Sequence, residues 1–158
     1  MNNTARLAGH RALIAGGSSG IGLATAELLL AEGATVTITG RNVEKLQAAA
    51  KSLEVGAKAG GGTIQWIGCD VMNGAEVRQA VAFAEGGLRL DSAVAVPGGG
   101  QFRPVLGYPD DLFSAEVEQN VRPQYLVLKY AGLAMVRGGG GSIVAISSTA
   151  ASFSNRYL

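Results

Sequence analysis

Short apolar segments alternate with helical segments along the whole chain, and this alternation restricts the possible folds more than any other feature. Strands are predicted for five segments that are rich in valine, isoleucine and threonine: Ala12–Ala15, Thr35–Thr39, Thr63–Ile67, Ser92–Val96 and Ser142–Ser147. Because these segments are apolar on both faces, they are typical of a parallel sheet that helices cover on both sides.

Helical segments lie between the strands, and in the third of them Val77, Val81 and Ala84 share one face. Helices are predicted for Gly20–Glu32, Val43–Leu53, Ala75–Glu85 and residues 112–137, and the apolar run Leu126–Val136 belongs to the last of them. Strands that alternate with helices in this order form right-handed βαβ units. The sequence therefore predicts an α/β fold of the Rossmann type, with a doubly wound parallel sheet of five strands in a three-layer α/β/α arrangement.

Composition limits the classes of function. A length of 158 residues, with 47% hydrophobic and 16% charged residues, fits a single globular domain over residues 1–158. The formal net charge of +1 gives no field that would attract nucleic acid or an anionic membrane. No apolar run is as long as a membrane span, and the first residues lack the apolar segment of a signal peptide.

The cysteine and histidine content predicts a cytoplasmic protein without a metal. Cys69 is the single cysteine, so a disulfide within the chain is excluded and a reducing compartment is favoured. We expect its thiol to behave as a small buried hydrophobic group. His10 has no carboxylate near it in the sequence, and no set of Cys, His, Asp and Glu residues has the spacing of metal ligands.

The turn that joins the first strand to the first helix is rich in glycine and reads Gly16-Gly17-Ser18-Ser19-Gly20-Ile21-Gly22. Glycines at positions 16, 20 and 22 let the backbone turn sharply, approach a ligand closely and pack the helix against the sheet. The helix directs unpaired N–H groups at the turn, where a pyrophosphate fits, and Ser18 and Ser19 add hydroxyl donors. An ordinary strand-to-helix turn is the alternative, but the strand before it and the helix after it favour binding of a dinucleotide.

The end of the second predicted strand bears on the choice of coenzyme. Folds that bind NAD place an acidic residue here, which hydrogen-bonds the ribose hydroxyl groups. This strand ends in Ile38-Thr39-Gly40-Arg41-Asn42, which contains no acid. Gly40 leaves space, and the planar guanidinium of Arg41 suits a 2′-phosphate. NADP(H) is therefore favoured over NAD(H), and a solvent-exposed loop arginine is the alternative.

Five segments, in this order, resemble the motifs of the short-chain dehydrogenase/reductase family. They are Gly16-x-x-x-Gly20-Ile21-Gly22 (with Ala15 where threonine is usual), Thr39-Gly40-Arg41, Cys69-Asp70-Val71, Asn120-Val121 and Gly141–Ser148. The resemblance extends over nearly the whole chain. It implies an NADP(H)-dependent oxidoreductase that transfers hydride between nicotinamide and a carbonyl or alcohol substrate, and it suggests a homo-oligomer.

The resemblance also implies roles for individual residues. Asp70 and Val71 would hold the adenine, Gly98 would lie beside the nicotinamide ribose, Asn120 would support a water in the proton relay, and Ser148 would be the catalytic serine. One segment departs from the family, which carries Asn-Asn-Ala-Gly where this chain has Ala95-Val96-Pro97-Gly98. Two amide side chains are missing and Pro97 has no N–H to donate. Either other groups replace these hydrogen bonds or the site has changed.

The family's Tyr-x-x-x-Lys motif would fall just beyond Leu158, so we expect a fragment that ends before its catalytic acid and has little or no turnover. Tyr125 and Lys129 have this spacing but precede the serine strand, so we interpret Tyr125 as partly buried and Lys129 as a side chain that reaches solvent. Tyr157 has no lysine after it and is interpreted as a loop aromatic.

Two functions of other classes remain open beside the enzyme. The chain could be a dinucleotide-binding module without catalysis, in which its end and the missing amides are both natural. It could also be a structural partner, because Ser142–Ser147 would form an apolar strand at the open edge of the sheet and could pair with another subunit.

Overall fold

Strands and helices alternate throughout the structure, which is a computed structural model that describes residues 5–100 and 103–149, except for the side chain of Val105. These residues form the elements β1 (Arg11–Ala15), α1 (Gly20–Ala31), β2 (Thr35–Gly40), α2 (Val43–Gly60), β3 (Thr63–Gly68), α3 (Gly74–Glu85), β4 (Ser92–Ala95), a short 3-10 helix (Val105–Gly107), α4 (Asp110–Arg137) and β5 (Ser142–Ala145). The five predicted strands are all present, and Leu126–Val136 is helical as predicted.

The strands form one parallel sheet in the order β3-β2-β1-β4-β5. The chain moves outward from β1 in one direction through β2 and β3, and then crosses back to place β4 on the other side of β1. The change of direction opens a crevice outside the carboxyl ends of β1 and β4, which is where ligands bind in sheets of this kind. The predicted doubly wound fold of the Rossmann type is confirmed.

Two helices cover each face of the sheet. Ile14, Val36 and Ile38 pack on one face against the buried sides of α1 and α2, including Leu30 and Leu46. On the opposite face, strand residues pack against α3 and α4 in two further clusters, which include Leu13, Val81, Ala93, Val77 and Val127. The burial of apolar side chains on both faces explains why the strands are apolar throughout rather than alternating.

Helix α2 is longer than the sequence predicts, since it continues past Leu53 to Gly60. Its buried positions, Leu46, Ala49, Ala50, Leu53 and Ala57, keep the helical period beyond the predicted end. Gly56 lies within this helix and does not interrupt it, because tertiary packing outweighs the low helix propensity of a single glycine. The helix ends where Gly61 adopts a left-handed conformation with φ 76°.

Strand β5 lies at the edge of the sheet beside β4 and is more exposed than β1, β2 and β4. It ends at Ala145 instead of Ser147, and the Val144 side chain is 52% exposed. The residue after it still belongs to the ladder, because Ile146 N–H donates to the Ala95 carbonyl at 2.9 Å. This bond brings Ser147 and Ser148 to the carboxyl edge of the sheet.

Within residues 5–100 and 103–149, no helix combines the length and the apolar character needed to span a membrane.

Candidate functional site

The glycine-rich turn after β1 has a backbone that favours glycine at two positions. Gly16 and Gly20 adopt positive φ angles of 85° and 52°. The N–H groups of Gly16 and Gly17 both donate to the Thr39 carbonyl, at 3.1 and 3.0 Å. These two bonds fasten the turn to the end of β2, so the positions of the turn and of the residues after β2 are linked.

Gly22 packs closely against the glycine-rich turn. A Cβ atom at this position would overlap the Gly16 carbonyl oxygen and would lie 2.9 Å from the Gly16 carbonyl carbon. Helix α1 can press against the turn only because no side chain is present here. The packing role expected of the three glycines is thus seen at Gly22, and its contact with the coenzyme stays a prediction.

The first turn of α1 offers N–H groups that no side chain caps. Ser19 is the N-cap residue, but its hydroxyl makes no capping hydrogen bond. Amide hydrogens at a helix N-terminus carry a partial positive charge and are suitable donors to an anion. The cleft beside Gly20 can therefore accept a phosphate group without any rearrangement of a cap.

A cleft of about 840 Å³ extends from this turn across the carboxyl ends of the strands. The predicted coenzyme-binding residues all line it except Gly22, namely Gly16, Ser18, Ser19, Gly20, Ile21, Arg41, Asp70, Val71 and Gly98. The structure therefore brings together residues from four separate loops of the sequence. Their individual roles in binding stay predictions.

Two cations stand at the end of the cleft that adjoins β2. Arg41 and Lys45 both line the cleft and are exposed, and neither side chain makes a hydrogen bond or ion pair with any residue in the described ranges. Asn42 lies between them and caps α2, because its side-chain oxygen accepts from the Lys45 N–H at 2.8 Å. The sequence analysis missed Lys45, although its position in the first turn of the helix that follows Arg41 is a signal that could have identified it.

The loop after β3 has a shape that its own hydrogen bonds determine. The Asp70 carboxylate accepts from the Met72 N–H at 3.0 Å. The Glu76 carboxylate accepts from the Asp70 N–H and from the Asn73 side-chain amide, both at 2.8 Å. One oxygen of Asp70 consequently faces no donor among the described residues, and it remains available to a ligand in the cleft.

Cys69 lies at the border of the cleft but is almost fully buried, with 3% exposure. Burial, together with the nearby negative charges of Glu76 and Asp70, raises the pKa of the thiol to about 12.

Since the thiolate is the reactive form, we expect the Cys69 thiol of the native chain at pH 8 to react with a disulfide reagent about a thousand times more slowly than that of the unfolded chain. Spectrophotometric thiol titration with and without denaturant measures the ratio, and similar rates in both would contradict the buried position.

A second cavity, of about 750 Å³, lies between α4 and the end of β5. Both predicted catalytic residues, Asn120 and Ser148, line it, together with Ser147. The segment Val96–Gly99 lines this cavity and also the cleft beside the glycine-rich turn, so it forms a partition between the two. We refer to it below as the partition.

Asn120 uses its side-chain amide to hold the partition. Its oxygen accepts from the Gly99 N–H at 2.9 Å, and its nitrogen donates to the Gly99 carbonyl at 2.7 Å and to the Glu116 carbonyl at 2.8 Å. The amide nitrogen is therefore fully engaged in the structure. The support of a proton-relay water by Asn120 stays a prediction, and it would require the backbone or the remaining lone pair of the side-chain oxygen.

Gln124 is a second amide on α4 that the sequence analysis missed. Its side-chain nitrogen donates to the Pro97 carbonyl at 2.8 Å and to the Ile146 carbonyl at 3.4 Å. Its position one turn after Asn120 on the same helical face was the available signal. Two amides of α4, those of Asn120 and Gln124, thus hold the partition.

The other tyrosine and histidine candidates have ordinary surroundings. Tyr125 lines the second cavity but is 57% exposed, so it is less buried than the sequence interpretation expected. The Lys129 amine lies 5.6 Å from the Tyr125 ring centre and 5.5 Å from that of Tyr130, a distance typical of cation–π contacts. The His10 ring lies 3.1 Å from the Ser92 hydroxyl. Tyr157 lies outside the described residues.

In the part of the chain that the structure describes, no group of three or more His, Cys, Asp and Glu residues could hold a metal ion.

Known proteins with similar sequences and structures share this architecture. A family model described as short chain dehydrogenase matches residues 10–157. A 2,5-dichloro-2,5-cyclohexadiene-1,4-diol dehydrogenase from Sphingobium indicum is 36% identical over 151 residues, which cover 91% of this chain and 56% of that protein. An A-factor type gamma-butyrolactone 1′-reductase (1S-forming) from Streptomyces virginiae is 37% identical over 141 residues, which cover 87% of this chain and 53% of that protein.

The similarity extends to solved structures. A short-chain type dehydrogenase/reductase from Mycobacterium ulcerans superimposes with a TM-score of 0.91 at 39% sequence identity, and the match covers 96% of this chain and 55% of that chain. The present chain spans about half the length of the curated relatives that it matches.

Proposed function

The chain belongs to the short-chain dehydrogenase family, as the sequence motifs indicated, and on this premise we propose that it binds NADP(H) as part of an oxidoreductase. The proposed reaction is hydride transfer between the nicotinamide and a carbonyl or alcohol substrate. The observation that carries the proposal is the cleft that joins uncapped amides of α1 to the two unpaired cations, Arg41 and Lys45. One end of this cleft suits a pyrophosphate and the other suits a 2′-phosphate.

The residues present fit each part of the coenzyme. The amides of the glycine-rich turn would bind the pyrophosphate, and Asp70 with Val71 would hold the adenine. Arg41 would contact the 2′-phosphate in a bidentate manner, and Lys45 would add a second positive charge. An NAD site would instead need an acid after β2 to bind the ribose hydroxyl groups, and Gly40-Arg41-Asn42 supplies none.

NADP(H), when bound, supplies or accepts the hydride. This chain's part in the proposed reaction is to bind and orient the reactants. Ser148 would hydrogen-bond the substrate oxygen in the second cavity, and Gly98 in the partition would lie beside the nicotinamide ribose. The relatives with established names are dehydrogenases and reductases, so the alternative of a non-catalytic module or assembly partner gains no support from them.

Coenzyme titration tests the proposal and its selectivity. We expect the chain to bind NADPH more tightly than NADH, and the double variant Arg41→Ala with Lys45→Ala to lose about 100-fold in affinity for NADPH with little change for NADH. The reason is that only NADPH carries the phosphate that the two cations contact. Isothermal calorimetry measures both affinities. Lys51→Ala, another exposed cation of α2, is the matched control, and equal losses for both coenzymes would refute the assignment.

We propose, in addition, a cytoplasmic homo-oligomer. Cys69 is an unpaired thiol, which suits a reducing compartment. Helix α4 exposes a continuous apolar stripe at positions that share one face, namely Phe113, Val117, Val121, Tyr125 and Leu128. A second copy of the chain could cover this stripe.

Sedimentation velocity tests the oligomer. We expect the chain to sediment as a dimer or larger species and Val121→Asp to sediment as a monomer, because a charge within the stripe opposes its burial. Leu28→Asp, at an exposed position of α1, should leave the assembly unchanged. A monomeric wild-type chain at high concentration would exclude the proposal.

A further inference from the structure

We infer that Gln124 is a positioning residue, whose amide holds the partition and the end of β5 together and thereby fixes Ser147 and Ser148 relative to the nicotinamide end of the cleft. The inference rests on the proposed function, since it concerns the coenzyme and substrate sites of the same reaction. It assigns Gln124 no contact with the reacting atoms.

Three elements meet at the Gln124 side chain. Its nitrogen belongs to α4 and donates to the Pro97 carbonyl in the partition and to the Ile146 carbonyl after β5. Ile146 is also the last residue bonded to β4, through its N–H and the Ala95 carbonyl. Ser147 follows it directly, so any displacement of the Ile146 carbonyl also moves the two serines.

The arrangement requires a hydrogen-bond donor at this position. Both partners of Gln124 are carbonyl oxygens, so an acceptor in the same place would face two partial negative charges. The oxygen of the Gln124 amide is buried and has no partner among the described residues, and the two carbonyls determine which way the amide is oriented. A methionine of similar volume or an ionised glutamate could not replace these bonds.

The Val96 N–H donates to the Ala15 carbonyl at 3.0 Å, and the Val96 and Ile146 side chains pack on the core. Among the described residues, however, no hydrogen bond other than those of Gln124 links Pro97 to Ile146. Pro97 has no N–H, and the three residues after it are glycines, so this segment has little intrinsic stiffness. Asn120 fixes the partition at Gly99 only. Within the described residues β5 pairs with β4 alone, and its outer side is exposed. Gln124 is therefore the link between the Pro97 end of the partition and the end of β5.

The proposal predicts that loss of the Gln124 amide weakens the binding of the nicotinamide half of the coenzyme and leaves the binding of the adenosine half unchanged. The test compares the affinity for NADP+ with that for 2′-phospho-ADP-ribose, which has the same adenosine and diphosphate groups but no nicotinamide. For Gln124→Met we expect an unchanged affinity for the fragment and about tenfold weaker binding of NADP+. Gln79→Met, an exposed position of α3, is the matched control and should change neither affinity.

Gln124→Glu provides a second variant that does not depend on the first. Near neutral pH its carboxylate would repel both carbonyls, so it should behave as Gln124→Met. At about pH 5.5 the protonated carboxyl group, whose pKa these carbonyls would raise, can donate one hydrogen bond. We expect the ratio of the two affinities to return toward the wild-type ratio at the lower pH. The comparison by ratio cancels the titration of the 2′-phosphate, which both ligands share.

The outcomes separate this inference from the proposed function. A wild-type chain that binds neither ligand would refute the coenzyme site itself. A normal wild type, with a Gln124→Met variant that weakens both ligands equally or neither, would show that Gln124 has no positioning role. If Gln124→Met does not fold, the pH dependence of Gln124→Glu decides, because recovery of the ratio supports the inference and its absence overturns it.

Discussion

Gly22→Ala is expected to abolish coenzyme binding and to lower the free energy of unfolding by about 3 kcal/mol or more. The added Cβ would overlap the Gly16 carbonyl, which is backbone and cannot move away as a side chain can. Helix α1 would have to separate from the turn, and the amides that it directs into the cleft would move with it. Urea denaturation measures the first effect and calorimetric titration with NADPH measures the second.

Gly132→Ala is the matched control, because Gly132 is also helical and its nearest neighbour would be the Ile143 side chain at 3.9 Å, an ordinary contact. We expect it to bind coenzyme normally and to be more stable by about 0.5–1 kcal/mol, owing to the better helix propensity of alanine. A Gly22→Ala variant with the stability and affinity of the wild type would contradict the close packing of α1 on the turn.

Gly60→Ala is expected to destabilise the chain by about 2–3 kcal/mol while leaving the affinity for coenzyme unchanged. A Cβ at Gly60 would lie 2.5 Å from the Ala31 Cα and 2.6 Å from its carbonyl carbon, so the last turns of α1 and α2 would have to separate. These helix ends lie beside the amino ends of β2 and β3, whereas the cleft lies at the carboxyl ends of the strands. Chemical denaturation and titration of the folded protein measure the two effects separately.

Gly56→Ala, one turn earlier in the same helix, has no atom within 4 Å of the added Cβ. We expect it to stabilise the chain by about 0.5–1 kcal/mol. Both variants replace a glycine of α2 with alanine. An equal change in the free energy of unfolding at the two positions would therefore show that the packing of α2 on α1 is looser than the structure indicates. Loss of coenzyme affinity in Gly60→Ala would contradict the separation of the packing site from the cleft.

The fold was predictable because local patterns determine it. Apolar strands alternate with helices, and each change of pattern is marked by turn residues, so element order and sheet type follow from the sequence. The end of α2 was not predictable in this way. Gly56 and the glycines after Ala59 resemble a helix end, whereas the packing of Ala57 on the core continues the helix.

The site was predictable to the extent that it depends on backbone motifs. The glycine-rich turn and Arg41 follow directly from their positions after strands, and the structure brings them to one cleft. Gln124 was missed because its partners, Pro97 and Ile146, are distant in sequence and meet it only in the folded chain. Its position one turn after Asn120 indicates the shared helical face, but the two carbonyls that it contacts can be identified only in the folded chain.

The partition has a consequence for the order of events at the site. Val96–Gly99 separates the cleft from the second cavity. We therefore expect a ligand that displaces this segment from one side to change the volume of the space on the other side. Under the proposed function, we therefore expect the first ligand that binds to change the shape of the space that receives the second, without movement of whole domains.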